Sequence, residues 1–423
     1  MFIQRTILDD MQKWLDTGKI LLINGSRQVG KTTILKYLEQ QLKKEHPTLF
    51  FSIDLEIGNT LFKEPKLFIK FLENHTVKGK RLYVFLDEFQ YLENAGLFVK
   101  VVFDQLKEHI QLIVSGSSSL EISKNKEFLT GRKIEFQMMP FSFNEYITST
   151  GNVKTVETGE GFPIEAMEDI RDFYLMNRDE LTLAMIDYMN WGGYPEPCFE
   201  SNEKRPLILR EIVGTYLQKD IAGFLNISKL DAYNNLLRLM ASQVGNLVNK
   251  NEISGTLRLN METVNKYLNI LEGTYIFFLV SPYFTNVRKE ISKMQKVYIS
   301  DPGLRRVILN DALHQTPDSF SGSEIENFVY IHARQMKSVR SINYYRTVSK
   351  SEIDFILHQE GVMVPLEVKY RKNVIRIPLE IKNFSERYPA QVTKRLIITR
   401  DYLHREGDNY FIPYLVFPFI QLL

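Results

Sequence analysis

A single cysteine, Cys198, stands in 423 residues, which excludes an internal disulfide framework and any zinc site built on cysteine thiolates. An excess of charge of one sign is also missing. Fifty-three Lys and Arg against 51 Asp and Glu leave a net charge of +2, so the chain as a whole has no electrostatic footprint for nucleic acid, and any such surface must be local. Long apolar runs are absent too. The most apolar stretches, 275–280 and 411–423, are short or broken by proline, and the opening MFIQRTILDDMQKW puts acidic residues where a signal peptide has its apolar core. The expectation is a soluble protein of a reducing cytoplasm with no membrane segment.

What is present is an ordinary globular composition, 44% hydrophobic and 25% charged. The length exceeds what one hydrophobic core usually organises, so several domains are expected. Residues 19–24 (KILLIN) form a short apolar run, GSRQVGKTT follows, and ILKYLEQQL then has helical spacing. Strand, loop and helix in that order are the context in which G-x-x-x-x-G-K-[ST] holds phosphates, and Gly25, Gly30, Lys31 and Thr32 match it. Backbone N–H groups of Gly25, Ser26, Arg27, Gln28, Val29 and Gly30 would turn inward around the anion, and the helix opening through Thr33 would aim its positive end at it. Lys31 would reach the β- and γ-phosphates, and the Thr32 hydroxyl would bind Mg²⁺.

A second apolar run, RLYVFL, ends in Asp87-Glu88. Asp87 is the expected carboxylate of the magnesium shell, and Glu88 the general base that polarises the attacking water and separates a hydrolase from a small-molecule kinase. A third run, 111–114, ends in Ser115-Gly116-Ser117-Ser118-Ser119. Ser117 either orients water between the two motifs or belongs to a serine run capping the next helix. Arg132 is either an arginine finger or a surface arginine; acting from a neighbouring subunit, it would require a homo-oligomer.

In this order and spacing GSRQVGKTT, FLDEF, SGSSSLE and LTGRKIEFQMMPFSFNEY resemble the AAA-type ATPases of the AAA_14 family, whose usual C-terminal companion is the DUF4143 region. The resemblance implies an α/β fold, a P-loop parallel sheet with helices on both faces, that binds ATP and Mg²⁺ at the strand ends.

Beyond this core (1–150), residues 151–228 read as a helical lid and linker. Three short helices and a β-ribbon make 229–305 a winged-helix-like module. Its third helix would present Glu262, Thr263, Asn265 and Lys266 to DNA, but the ribbon, with Arg288, Lys289, Lys293 and Lys296, is the better basic surface.

Residues 306–423 are expected to be an α/β nuclease-like domain. A helix carries Glu326, an alternating strand carries Asp354, and the next strand, VMVPLEVKY, carries Glu367 and Lys369 on one face. Carboxylates holding Mg²⁺ beside a lysine that positions water are the requirement for phosphodiester hydrolysis. Asp354, Glu367, Val368 and Lys369 resemble the D…ExK core of PD-(D/E)XK nucleases, with Ile353 in place of that family's proline. The alternative is an exposed Glu-Lys surface pair. Nine basic against two acidic residues over 369–400 add a local patch suited to DNA. The function expected is a Mg²⁺-dependent ATPase coupled to a nuclease-like domain acting on DNA. The competing reading is an ATP-driven switch that binds DNA or a protein partner through a non-cleaving nuclease fold.

Overall fold

A computed structural model describes residues 3–117, 129–151, 161–215, 230–284, 293–347, 349, 351–371 and 376–422. The chain divides into two compact units. The first contains residues 3–139 and Asn269–Ile276, and the second the rest of the described chain.

The first unit is built on β1 (Ile20–Asn24), β2 (Thr48–Ser52), β3 (Leu82–Asp87), β4 (Ile110–Gly116) and β5 (Lys133–Gln137), hydrogen-bonded in the order β2-β3-β4-β1-β5. All four pairings are parallel. Every residue of β1, β3 and β4 is buried, as central strands covered on both faces must be, which is why they read as unbroken apolar runs. Strands β2 and β5 are half-buried edges, and their weaker apolar signal escapes a sequence reading. Helices α1 (Thr6–Gln12), α2 (Lys31–Leu42), α3 (Pro65–Glu73) and α4 (Ala95–Leu106) flank the sheet. Leu22, Val84, Leu86 and Val114 pack with Phe68 and Phe98 in its core.

The order places β4 between the strand that leads into the phosphate loop and the strand that ends in Asp87. In a parallel sheet the C-terminal ends of all strands share one edge, so residues 24–30, 87–88 and 115–117 are brought together there.

The second unit begins with α5 (Phe143–Thr150), opened by a capping box in which the Ser142 hydroxyl accepts from the Glu145 N–H and the Glu145 carboxylate accepts from the Ser142 N–H. Helix α6 (Met167–Trp191) stops at Gly192-Gly193. A Cβ on Gly192 would meet Asp301 Oδ1 at 2.0 Å, and one on Gly193 would meet the Phe141 carbonyl at 2.2 Å, so this turn excludes any side chain. Helices α7 (Pro195–Cys198), α8 (Arg205–Thr215), α9 (Leu230–Ser242) and α10 (Lys250–Leu257) follow, and then α11 (Met261–Gly273), whose residues from Asn269 on are counted with the first unit. The antiparallel pair β7 (Phe277–Val280) and β8 (Lys296–Ile299) comes next; a two-residue strand β6 (Phe162–Pro163) precedes α6. The three helices and ribbon expected over 229–305 are present as elements, with Asn260 capping α11 through the Thr263 N–H at 2.7 Å.

After α12 (Pro302–Leu309) and α13 (Gly322–Gln335) comes a six-stranded sheet, β13-β14-β12-β11-β10-β9. Its strands are β9 (Ser341–Arg346), β10 (Glu352–His358), β11 (Met363–Lys369), β12 (Arg395–Thr399), β13 (His404–Glu406) and β14 (Asn409–Pro413). Strands β9 to β11 form an antiparallel meander, and α14 (Leu379–Arg387) carries the chain over to β12, parallel to β11. A short final strand, β15 (Ile420–Gln421), pairs with β6.

Candidate functional site

The loop from Gly25 to Gly30 joins β1 to α2. Gly25 lies against Met138, where a Cβ would come within 2.1 Å of the carbonyl oxygen, and Gly30 adopts φ +99°, in the left-handed region that favours glycine. Ser26 and Val29 are buried, Arg27 is half-buried, and Gln28 and Thr33 are exposed. The Lys31 ammonium, 4% exposed, donates to the carbonyls of Gly25 at 3.0 Å and Ser26 at 2.8 Å, so it is folded over the Gly25–Gly30 loop. The buried Arg5 braces the loop from below. Its guanidinium donates to the Val29 carbonyl at 3.1 Å and to the Met139 carbonyl at 2.6 Å.

The Thr32 hydroxyl donates to Asp87 Oδ2 at 2.6 Å. The Ser115 hydroxyl donates to Asp87 Oδ1 and accepts from the Glu88 N–H at 3.2 Å. Glu88 itself has φ +54°, a strained conformation for a residue with a side chain. Its carboxylate accepts from the Gln90 amide, which also donates to the Ser117 hydroxyl at 3.1 Å. Lys31, Thr32, Asp87, Glu88 and Ser117 are therefore brought together at one strand edge.

Ser115 and Gln90 are members of this set that sequence reasoning missed. Ser115 could have been found from its place at the end of the strand between the two motifs. Gln90 had no signal beyond lying two residues past Glu88. The Thr32 hydroxyl and the Asp87 carboxylate, hard oxygen donors in contact at the mouth of the loop, fit Mg²⁺, which binds through one or two protein oxygens and completes its shell with phosphate and water.

Arg132 is not brought to this edge. Strand β5 runs parallel to β1 with Lys133 beside Ile20, so Arg132 lies at the opposite, N-terminal end of the sheet. There its Nε and Nη2 donate to the Asp104 carboxylate at 2.7 and 3.1 Å. The finger expectation is not met within one chain.

The second expected site lies wholly in the second unit. The β10-β11 register sets Phe355 opposite Leu366, which brings Asp354 beside Glu367. The Asp354 N–H donates to Glu367 Oε2 at 3.2 Å, the Val368 N–H donates to Asp354 Oδ2 at 2.8 Å, and the Lys369 ammonium donates to Glu367 Oε1. Glu326 on α13 is near them but already engaged, accepting from the Tyr298 hydroxyl at 2.6 Å and from Lys296 Nζ at 3.0 Å.

Lys296 corrects the sequence reading. It was expected on an exposed basic ribbon, yet it is 3% exposed and its ammonium faces Glu326, Glu352 and Asp354. Burial pulls this ammonium down, but those three carboxylates outweigh it and hold it above the usual lysine range. Burial, and then the Asp354 charge, push the Glu326 carboxyl up to about 7 and the Glu367 carboxyl up to about 8. Burial raises Asp354 as well. The ammonium thus lies beside Glu326 and Asp354, two of the three carboxylates expected to hold a divalent metal, while the third, Glu367, faces Lys369. Among the described residues no group of three Asp, Glu, His or Cys side chains is arranged to hold one. Of the other ribbon residues, Lys293 is exposed, while Arg288 and Lys289 lie outside the described residues.

On the third helix of the 229–305 module Glu262 and Lys266 are exposed, whereas Asn265 accepts from Lys250 Nζ at 2.8 Å. Within the basic stretch, Lys394 pairs with Glu165 and Arg400 with Asp318, each at 2.5 Å, leaving Arg371, Arg376, Lys382 and Arg387 as its exposed cations among the described residues. No described helix is long and apolar enough to cross a membrane.

Comparison with known proteins agrees with this geometry. Residues 17–147 match the AAA_14 model, described as an AAA domain. Residues 182–315 and 321–417 match two domains of unknown function, DUF8612 and DUF4143. Relatives include an uncharacterized protein of Haemophilus influenzae, 23% identical over 381 residues, covering 88% of this chain and 87% of the relative. Another, from Methanocaldococcus jannaschii, is 22% identical and covers 96% and 86%.

Among solved structures, the RuvB Holliday junction branch migration motor of Thermotoga maritima shares 13% identity over 69% of this chain and 95% of its own, at a TM-score of 0.30. Cdc6p from Pyrobaculum aerophilum shares 12% over 72% and 92%, at 0.27. Overlaps this loose carry no weight beside the strand order and the matched segments. Residues 17–147 thus match the AAA_14 model of AAA domains, in agreement with the parallel P-loop sheet, and residues 321–417 match the DUF4143 model.

Proposed function

We propose that the chain binds MgATP in the Gly25–Gly30 loop and hydrolyses it, and that turnover switches the second unit between states that bind and release DNA. The observation that carries the ATPase reading is the convergence of Lys31, Thr32, Asp87, Glu88 and Ser117 at one strand edge. In the proposed cycle Lys31 leaves the loop carbonyls for the β- and γ-phosphates, and Thr32 and Asp87 hold Mg²⁺, which offsets phosphate charge. Glu88 takes the proton of the attacking water. Gln90 is a positioning residue, tying the Glu88 carboxylate to Ser117.

For the second unit the nuclease reading assigns Mg²⁺ to Glu326, Asp354 and Glu367, and water positioning to Lys369. The Lys296 ammonium beside Glu326 and Asp354 speaks against it and favours the non-cleaving switch. Exposed Arg371, Arg376, Lys382 and Arg387 support DNA as the target, a protein partner being the alternative.

The test is ATP turnover, DNA binding and plasmid cleavage measured in parallel, with Mg²⁺ or Mn²⁺, for wild type, Lys31→Ala, Glu88→Gln and Lys369→Ala. Lys31→Ala is expected to abolish turnover. Glu88→Gln should keep ATP binding and lose at least about 100-fold in kcat, the usual worth of a general base. DNA binding should change with the nucleotide bound, and no plasmid should be cut. Full turnover by Lys31→Ala refutes the ATPase reading, and cleavage that Lys369→Ala removes refutes the switch.

A further inference from the structure

The six-stranded sheet meets β8 at a buried ion cluster that the ATPase reading does not use. Lys296, on β8, places its ammonium 3.0 Å from Glu326 Oε1, 2.7 Å from Glu352 Oε1 and 3.6 Å from Asp354 Oδ1. The ammonium is within hydrogen-bond distance of Glu326 and Glu352, and Asp354 adds a third negative charge just beyond it. Further donors also engage these carboxylates. Glu326 accepts from the Tyr298 hydroxyl, Glu352 pairs with Arg346 at 3.3 Å, and Asp354 Oδ2 accepts from the Val368 N–H.

A divalent cation ligated by these oxygens would sit about 2.0–2.6 Å from them. It would lie within the ammonium's own contact distance, where two positive charges cannot share one buried pocket. The source of each group matters as well. The lysine belongs to the segment 182–315 and the three carboxylates to the segment 321–417, each matched by its own family model.

We propose that Lys296 is the resident cation of this cluster, an intramolecular ammonium in the position a divalent metal would take, and that it joins the two segments instead of leaving the carboxylates open as a hydrolytic metal centre. The proposal is independent of ATP turnover, since none of these residues belongs to the phosphate site.

Electron paramagnetic resonance of Mn²⁺ titrated into the nucleotide-free full-length protein reads the number of ions bound. Wild type, Asp354→Asn and Glu326→Gln are expected to bind equal numbers. Lys296→Met is expected to gain one Mn²⁺ per chain and to lose it again when Asp354→Asn is added. A wild-type protein that loses one equivalent on Asp354→Asn or Glu326→Gln overturns the proposal. So does a folded Lys296→Met that binds no additional ion. Should Lys296→Met fail to fold, the comparison of wild type with Asp354→Asn and Glu326→Gln still decides.

Discussion

At the scale of single residues, the informative side chains are those whose partners demand one protonation state. His332, on α13, accepts from the Phe143 N–H through Nε2 at 2.8 Å and donates from Nδ1 to the Phe328 carbonyl at 2.7 Å. Only the neutral ring with its proton on Nδ1 satisfies both. Burial holds its pKa down at about 4, against the hydrogen bond to Phe328. The folded value thus lies below the unfolded one of about 6.5, so the unfolded chain binds a proton first as pH falls. His332 therefore has no effect on stability above about pH 6.5 and destabilises the fold progressively from there to pH 4, by about 3 kcal/mol in total. Urea denaturation from pH 7.5 to 4 should show His332→Gln losing less stability than wild type across that window. Equal slopes would mean that His332 does not carry this linkage. Nothing near 332 in the sequence announces such a residue, because its partner Phe143 is 189 positions away.

At the scale of elements, local pattern and local structure agree wherever an element's burial is uniform. The runs at 19–24, 81–86 and 111–114 are the buried strands β1, β3 and β4. The alternation at 352–357 is β10, and the same-face placement of Glu367 and Lys369 appears as a direct contact on β11. Strands β2, β5, β12, β13 and β14 were not legible. Edge strands such as β2 and β5 are half-buried, and β12 follows a basic stretch whose charge masked the short apolar run.

The Gly25–Gly30 loop is tightly constrained by its surroundings, because Gly25 packs on the Met138 carbonyl while the Met138 N–H donates to the Asn24 carbonyl at 2.6 Å. The backbone cannot yield on either side. Gly25→Ala should therefore displace the loop and weaken ATP binding at least about tenfold, equivalent to 1.4 kcal/mol. Calorimetric titration with ATP in the Glu88→Gln background measures it, and unchanged affinity would show that the loop can relax.

At the scale of the whole molecule, a ligand that binds only the folded chain stabilises it by mass action. MgATP at about 100 times its Kd should add about 2.7 kcal/mol to the folded state that holds it. A thermal shift with MgATP in Glu88→Gln, absent in Lys31→Ala, is the expected result; equal shifts would place the nucleotide elsewhere. The sequence by itself determined the chemistry whose groups are neighbours along the chain. Gly25 to Thr33 and the pair Asp87-Glu88 are contiguous, and a parallel sheet must bring such strand ends to one edge. The β10-β11 hairpin likewise brought Asp354 to Glu367 by register alone. Only the tertiary structure decided which of those groups are available. It sent Arg132 to the far edge of its sheet and placed Lys296 against carboxylates 30, 56 and 58 residues further along. The reason is physical. A motif records which side chains a site requires, whereas the cation that neutralises a buried carboxylate can come from any distance along the chain, and its identity is settled by packing.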